Sequence, residues 1–150
     1  MGTNIRAEIS EKNQFYISKH RYYELKHFCM QYPMWVKARA GLTGLSASKI
    51  GLAAVKAKYS DSDPTEKCVE ARERFSKFIK MVDDSISEAI HIFDDSEAAV
   101  ECFKEPLLHG VTEGVPYDVL KARYSIPCSA KSYYELYRIF FNVLSKKRDA

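Results

Sequence analysis

LLHGVTEGVPYDVLKARYSIPCSAKSYYELYRIFFNVLSKKR, Leu107 to Arg148, decides how the chain folds. Leu107, Leu108 and Val111 suit a supporting helix, and Gly114 can close it in the left-handed conformation. Pro116 opens a short second helix whose Val119, Leu120 and Tyr124 are expected to face inward. Ile126 and Pro127 form a turn, because proline pushes the residue before it out of the helical region. Ser129 is a natural N-cap for a last helix in which Tyr133, Leu136, Tyr137, Phe140, Phe141 and Leu144 recur at helical spacing. A short helix, a tight turn holding an apolar residue and a capped helix rich in inward aromatics together make a helix-turn-helix pattern.

In that geometry the first turns of the last helix enter a major groove, which points Ala130, Lys131, Tyr134, Glu135 and Arg138 at DNA. Lys131 and Arg138 can donate to guanine edges or phosphates, and Ser129 and Ser132 can bond to either. Lys146, Lys147 and Arg148 at the helix end would add salt-dependent, sequence-blind affinity.

Upstream the pattern is helical throughout. Residues 1–14 are polar and read as a flexible start. Ser18 can cap a helix running to about Tyr32, with Tyr22, Leu25, Phe28, Cys29 and Tyr32 on one face. Pro33 ends it and fits the first turn of a second helix carrying Trp35, Val36 and Ala40, so the chain opens on a helical hairpin. Residues 41–48 (GLTGLSAS) read as a linker, and residues 50–59 as an apolar stretch of open structure.

Asp63, Pro64 and Glu66 form a capping-box start. The long helix that follows carries Cys68, Ala71, Phe75, Phe78, Val82, Ile86, Ala89 and Phe93 at steps of three or four. Ile79 and Ile90 widen that stripe beyond a bare coiled-coil seam, which favours a core-facing surface, with a homodimer seam as its other use. Asp94 to Ser96 break the helix, and Pro106 is expected to interrupt the next one. The resulting expectation is an all-α helical bundle: a flexible 1–14, a hairpin and long central helix over 15–95, and a helix-turn-helix subdomain over 96–150.

The net charge of +3 conceals a segregation. Residues 12–58 hold nine basic residues against Glu24, residues 83–118 hold ten acids against Lys104, and residues 121–148 hold seven basic residues against Glu135. Two basic blocks around an acidic one suit a polyanion binder with one repelling face, or blocks that pair with each other across the fold. Lys19, Arg21, Tyr23 and Lys26 offer a second surface, where basic residues interleaved with aromatics can follow a nucleic-acid backbone and stack on bases or meet a partner, or else form the outer face of a core helix.

Catalytic patterns are missing. The four cysteines form no CxxC pair, His20, His27, His91 and His109 lie at no metal-binding spacing, and no phosphate-binding glycine loop or nucleophile elbow occurs. The chain therefore reads as a non-enzyme without metal or cofactor. No apolar run reaches the roughly 18 residues of a membrane span, and residues 1–11 lack a signal-peptide pattern. Reduced thiols and a cytoplasmic location follow from the same reading.

The stretches YYELKHFCMQYPMW (Tyr22 to Trp35), SDPTEKC (Ser62 to Cys68) and Val111 to Lys147 resemble a family of small phage and prophage proteins of Gram-positive gut bacteria. The C-terminal part further resembles the RinA and ArpU type of phage late-transcription activators and, more distantly, the fourth region of sigma factors. The resemblance implies a helix-turn-helix on promoter DNA in a bacterial host cell, with Ser129, Lys131, Ser132, Tyr134, Glu135 and Arg138 reading the duplex and RNA polymerase as a further partner. The alternative is a phage-encoded inhibitor that binds a host nucleoprotein machine, such as a CRISPR nuclease complex or the polymerase. Its acidic 83–118 segment would then occupy a basic nucleic-acid channel.

Overall fold

A computed structural model describes residues 13–43 and 64–150. Among them Ser18, in extended conformation, accepts the Arg21 N–H on its hydroxyl at 3.2 Å and starts α1, Lys19–Met30. Only Gln31 separates it from α2, Tyr32–Thr43. Then come α3 (Pro64–Phe93), α4 (Glu97–Glu113), α5 (Tyr117–Tyr124) and α6 (Ala130–Asp149). The described chain is helical with no strand, as the periodicity demands.

Packing divides the chain into two compact units. One joins the residues up to Gln31 with Met81–Ala150, and the other is Tyr32–Lys80. The boundaries at 14/15 and 95/96 read from the sequence follow chain order, whereas the first unit brings α1 onto α6 across more than a hundred residues. Two contacts account for that return: the Tyr22 and Tyr137 hydroxyls lie 3.0 Å apart, and the Arg21 guanidinium donates to the Ser145 hydroxyl at 3.0 Å and carbonyl at 3.1 Å.

In the first unit α1 and α5 each pack against both α4 and α6. Leu25, Val82, Ile86, Leu107, Leu120, Leu136 and Phe140 are fully enclosed there. At about 1.5–3 kcal/mol for each large apolar side chain removed from water, this burial dominates the stability of the unit. Buried Ser85 and Thr112 donate their hydroxyls to the carbonyls four residues back, at 2.7 and 2.6 Å, which satisfies both without a tertiary partner.

In the second unit Trp35 is buried, with its ring 5.2 Å from Phe78 and 6.5 Å from Tyr32. Val36 and Ala40 on α2 are exposed. The helix runs on through Gly41–Thr43, so the first residues of the expected linker are helical; a glycine inside a helix costs only about 1 kcal/mol. The expected capping residue Asp63, the apolar stretch 50–59 and nearly all of the 1–14 segment lie outside the described residues.

Two local expectations are overturned. Pro106 does not interrupt α4, which continues through it to Glu113. A proline inside a helix costs about 3 kcal/mol, but Phe103, Leu107 and Val111 on the same helix are all buried, and their combined burial is larger. Val119 does not face inward: it is 41% exposed while Leu120 beside it is enclosed. On α5 the inward face is Tyr117, Leu120 and Tyr124, spaced by three and four, and Val119 falls off it. Gly114 adopts φ 70°, ψ 23° and closes α4 in the left-handed conformation, as expected.

Candidate nucleic-acid interface

α5 is capped by Ser125, in left-handed conformation (φ 54°, ψ 52°), whose N–H donates to the Lys121 carbonyl at 2.9 Å. Ile126 then drops into the core and anchors the turn. Ser129, extended at φ −73°, ψ 164°, accepts the Ser132 N–H at 3.3 Å and starts α6.

Tyr117 pins this turn from both ends. Its backbone N–H donates to the Tyr134 hydroxyl at 3.3 Å, and its own hydroxyl donates to the Cys128 carbonyl. Lys121 lies over its ring at 5.8 Å. Tyr117→Phe should therefore keep the packing and lose one buried hydrogen bond. The expected loss of stability is about 1 kcal/mol in a urea melt, with faster hydrogen exchange around Ser129 as the local readout.

The expected reading residues are partly brought together. Ser129, Lys131 and Glu135 are exposed around the start of α6, with Ser132 half-buried among them. Tyr134 and Arg138 are half-buried one and two turns further on, and the Tyr134 hydroxyl serves the Tyr117 amide. No acid stands in the first turn of α6, so the positive end of its dipole is open to an anion.

At the other end of α6, Lys146 is exposed, but Lys147 forms an ion pair with Glu88 at 2.9 Å, and the Arg148 guanidinium lies 4.2 Å over the Phe28 ring. The Lys147–Glu88 pair joins the C-terminal basic block to the acidic one, as charge pairing between blocks would have it, while Arg148 is held by an aromatic ring. Of the second surface, Lys19 is exposed and Tyr23 and Lys26 are half-buried. Arg21 is turned onto α6, bridging Glu24 at 2.8 Å and Asp149 at 2.7 Å.

Sequence reasoning missed Lys121 and Arg123. Both are exposed on the second half of α5, before the turn, as Lys131 is exposed on the first turn of α6 after it. Helical spacing alone takes Arg123 off the inward face of Tyr117, Leu120 and Tyr124, whereas Lys121, four residues after Tyr117, borders that face and lays its ammonium over the Tyr117 ring at 5.8 Å.

Behind this surface His109 of α4 contacts Glu113 through Nδ1 and Glu105 through Nε2 at 3.6 Å, and its ring stacks on Tyr124 at 5.7 Å. Burial pushes the Cys128 thiol up from its ordinary value, and the nearby charge of Lys121 opposes that rise. Cys29 is buried and its thiol is pushed up by burial alone, so neither is a poised nucleophile.

Among the described residues no three His, Cys, Asp or Glu side chains converge to hold a metal, and no helix is long and apolar enough to cross a membrane. Compared with protein-family models, curated proteins and solved structures, the chain matches none.

Proposed function

We propose that this protein is a DNA-binding transcriptional regulator that docks the corner formed by α5, the 125–129 turn and the start of α6 on duplex DNA. The observation that carries the reading is the capped, acid-free N-terminus of α6, with Lys131 exposed in its first turn and Lys121 and Arg123 exposed on α5 just before the turn. A helix N-terminus with cationic side chains in its first turn and in the preceding helix suits phosphates, and Ser129, Lys131 and Ser132 supply the donors and acceptors that read base edges in a major groove. The exposed carboxylates Glu97 and Glu101 on α4 repel a second polyanion contact and so restrict how the duplex can approach. The resemblance to phage late-transcription activators supports the same function, with Lys146 as a further backbone contact.

The test is duplex affinity as a function of salt. Each of Lys121→Ala, Arg123→Ala and Lys131→Ala should weaken binding and lower the slope of log affinity against log salt by about one. A triple substitution that leaves both the affinity and the slope unchanged would sink the reading. The same acids support a second reading, an inhibitor that seats its acidic segment in a basic channel of a host complex. In that case Glu97→Gln with Glu101→Gln abolishes capture of the complex, and the basic trio is dispensable.

A further inference from the structure

The face of α5 turned away from Tyr117, Leu120 and Tyr124 carries Asp118, Val119, Ala122 and Arg123, all four exposed and Val119 by 41%. Around the helix they follow in the order Asp118, Ala122, Val119, Arg123, so two apolar residues lie between an acid on one side and a base on the other. Val115, half-buried just before the helix, continues the apolar row. Val115, Val119 and Ala122 thus step by four and three, the spacing of a seam between paired helices.

Asp118 and Arg123 take the positions that flank such a seam. Five residues apart, they do not meet on their own helix, and neither side chain has an ionic partner among the described residues. Between two parallel helices related by a two-fold axis, however, an acid and a base at that separation are the pair that meets across the seam. The stripe of α3 differs: beside Cys68 and Ala71 the same two positions hold Lys67 and Arg72, both exposed, and a parallel pair of these helices would set like charges together.

We propose that the outward face of α5 is a self-association surface for a second copy of this chain, which lies alongside in parallel, with Asp118 of each copy facing Arg123 of the other. A seam of two turns falls at the low end of interface sizes, where contacts are transient, so the dimer forms at roughly 0.1 mM. The inference does not depend on the duplex reading.

The experiment is sedimentation equilibrium of the full chain from about 10 µM to about 1 mM, without DNA because Arg123 also serves the proposed duplex contact. The wild-type protein should pass from monomer toward dimer over that range. Asp118→Arg and Arg123→Asp should each weaken association on the order of tenfold, since each turns two attractions into two repulsions, and the double exchange should return it to within about threefold of wild type. Val119→Glu should hold the chain monomeric.

Methyl spectra of the wild-type protein across the same concentrations need no variant, should one of them fail to fold. Signals of Val115, Val119 and Ala122 should shift with concentration. A chain that stays monomeric to about 1 mM overturns the proposal, as does a dimer that leaves those methyl signals still. So does a dimer that Val119→Glu or either single exchange leaves intact, or one that the double exchange does not restore.

Discussion

Gly110→Ala should lower the stability of the first unit by about 3 kcal/mol, seen as a fall of roughly 10 °C in Tm. A methyl group built on Gly110 runs into the Tyr133 hydroxyl and comes within 3.4 Å of the same ring's Cζ and of Leu120 Cδ1. In an exposed helix the same change would be favourable by up to about 1 kcal/mol, so its sign here is set by packing. Tyr133 cannot swing away, because it is 1% exposed and its ring is in contact with those of Tyr117, Tyr134 and Tyr137.

The hydroxyl is also the clashing atom that can be removed at least cost, since it is buried with no hydrogen-bond partner. Tyr133→Phe alone should therefore be neutral or stabilising by up to about 1 kcal/mol. In a Tyr133→Phe background, Gly110→Ala should recover most of its loss, giving a coupling of about 2 kcal/mol in a double-mutant cycle. Strict additivity of the two changes would show that the close approach of α4 to α6 is relaxed in solution.

Nothing in the sequence announces that contact, and the reason is general. Gly114, four residues later, was legible because its role is local: it follows the last periodic residue of a helix and takes a backbone conformation that glycine favours. Ser18 and Ser129 were legible on the same terms, as caps bonded to the residue three further on. Gly110 answers to a ring 23 residues away, and Pro106 stays inside its helix because of tertiary burial that a local rule cannot weigh. The return of α1 onto α6 belongs with these, resting on Arg21 and Tyr22, which read locally as one basic and one aromatic residue among several.

The candidate interface was half legible for a related reason. Ser129, Lys131 and Glu135 are exposed where helical spacing put them, because α6 buries a regular face. Tyr134, by contrast, spends its hydroxyl on the Tyr117 amide, and Lys147 spends its charge on Glu88. Charge and spacing identify which side chains leave the core, but not whether an intramolecular partner waits for them outside it. Lys121 and Arg123 were missed through attention to the inward residues of α5 alone.

Stability should fall steeply on the alkaline side, and the sign follows from burial. Cys29 and Tyr133, 0% and 1% exposed, both have their pKa values pushed up by burial from ordinary values of 9.0 and 10.0, and Tyr137 is shifted in the same direction, largely by burial. Below pH 9 these groups are protonated in both states and contribute no pH dependence. Above it the unfolded chain releases first the thiol proton and then the phenol protons while the folded unit holds them. The unfolded state then binds fewer protons, and the free energy of unfolding decreases as pH rises. Each group contributes a slope of about 1.4 kcal/mol per pH unit once past its ordinary value. Cys29 and Tyr133 together then remove about 4 kcal/mol by pH 11, a large part of the 5–15 kcal/mol typical of a domain. Urea melts between pH 7 and 11 should be flat to about pH 8.5 and then decline, and Cys29→Ala should shift the onset upward by about one pH unit while lowering the plateau. A wild-type curve that stays level from pH 9 to 11 would mean that water reaches Cys29 and Tyr133 in the folded state, and with it that the α1–α4–α6 core is open rather than closed.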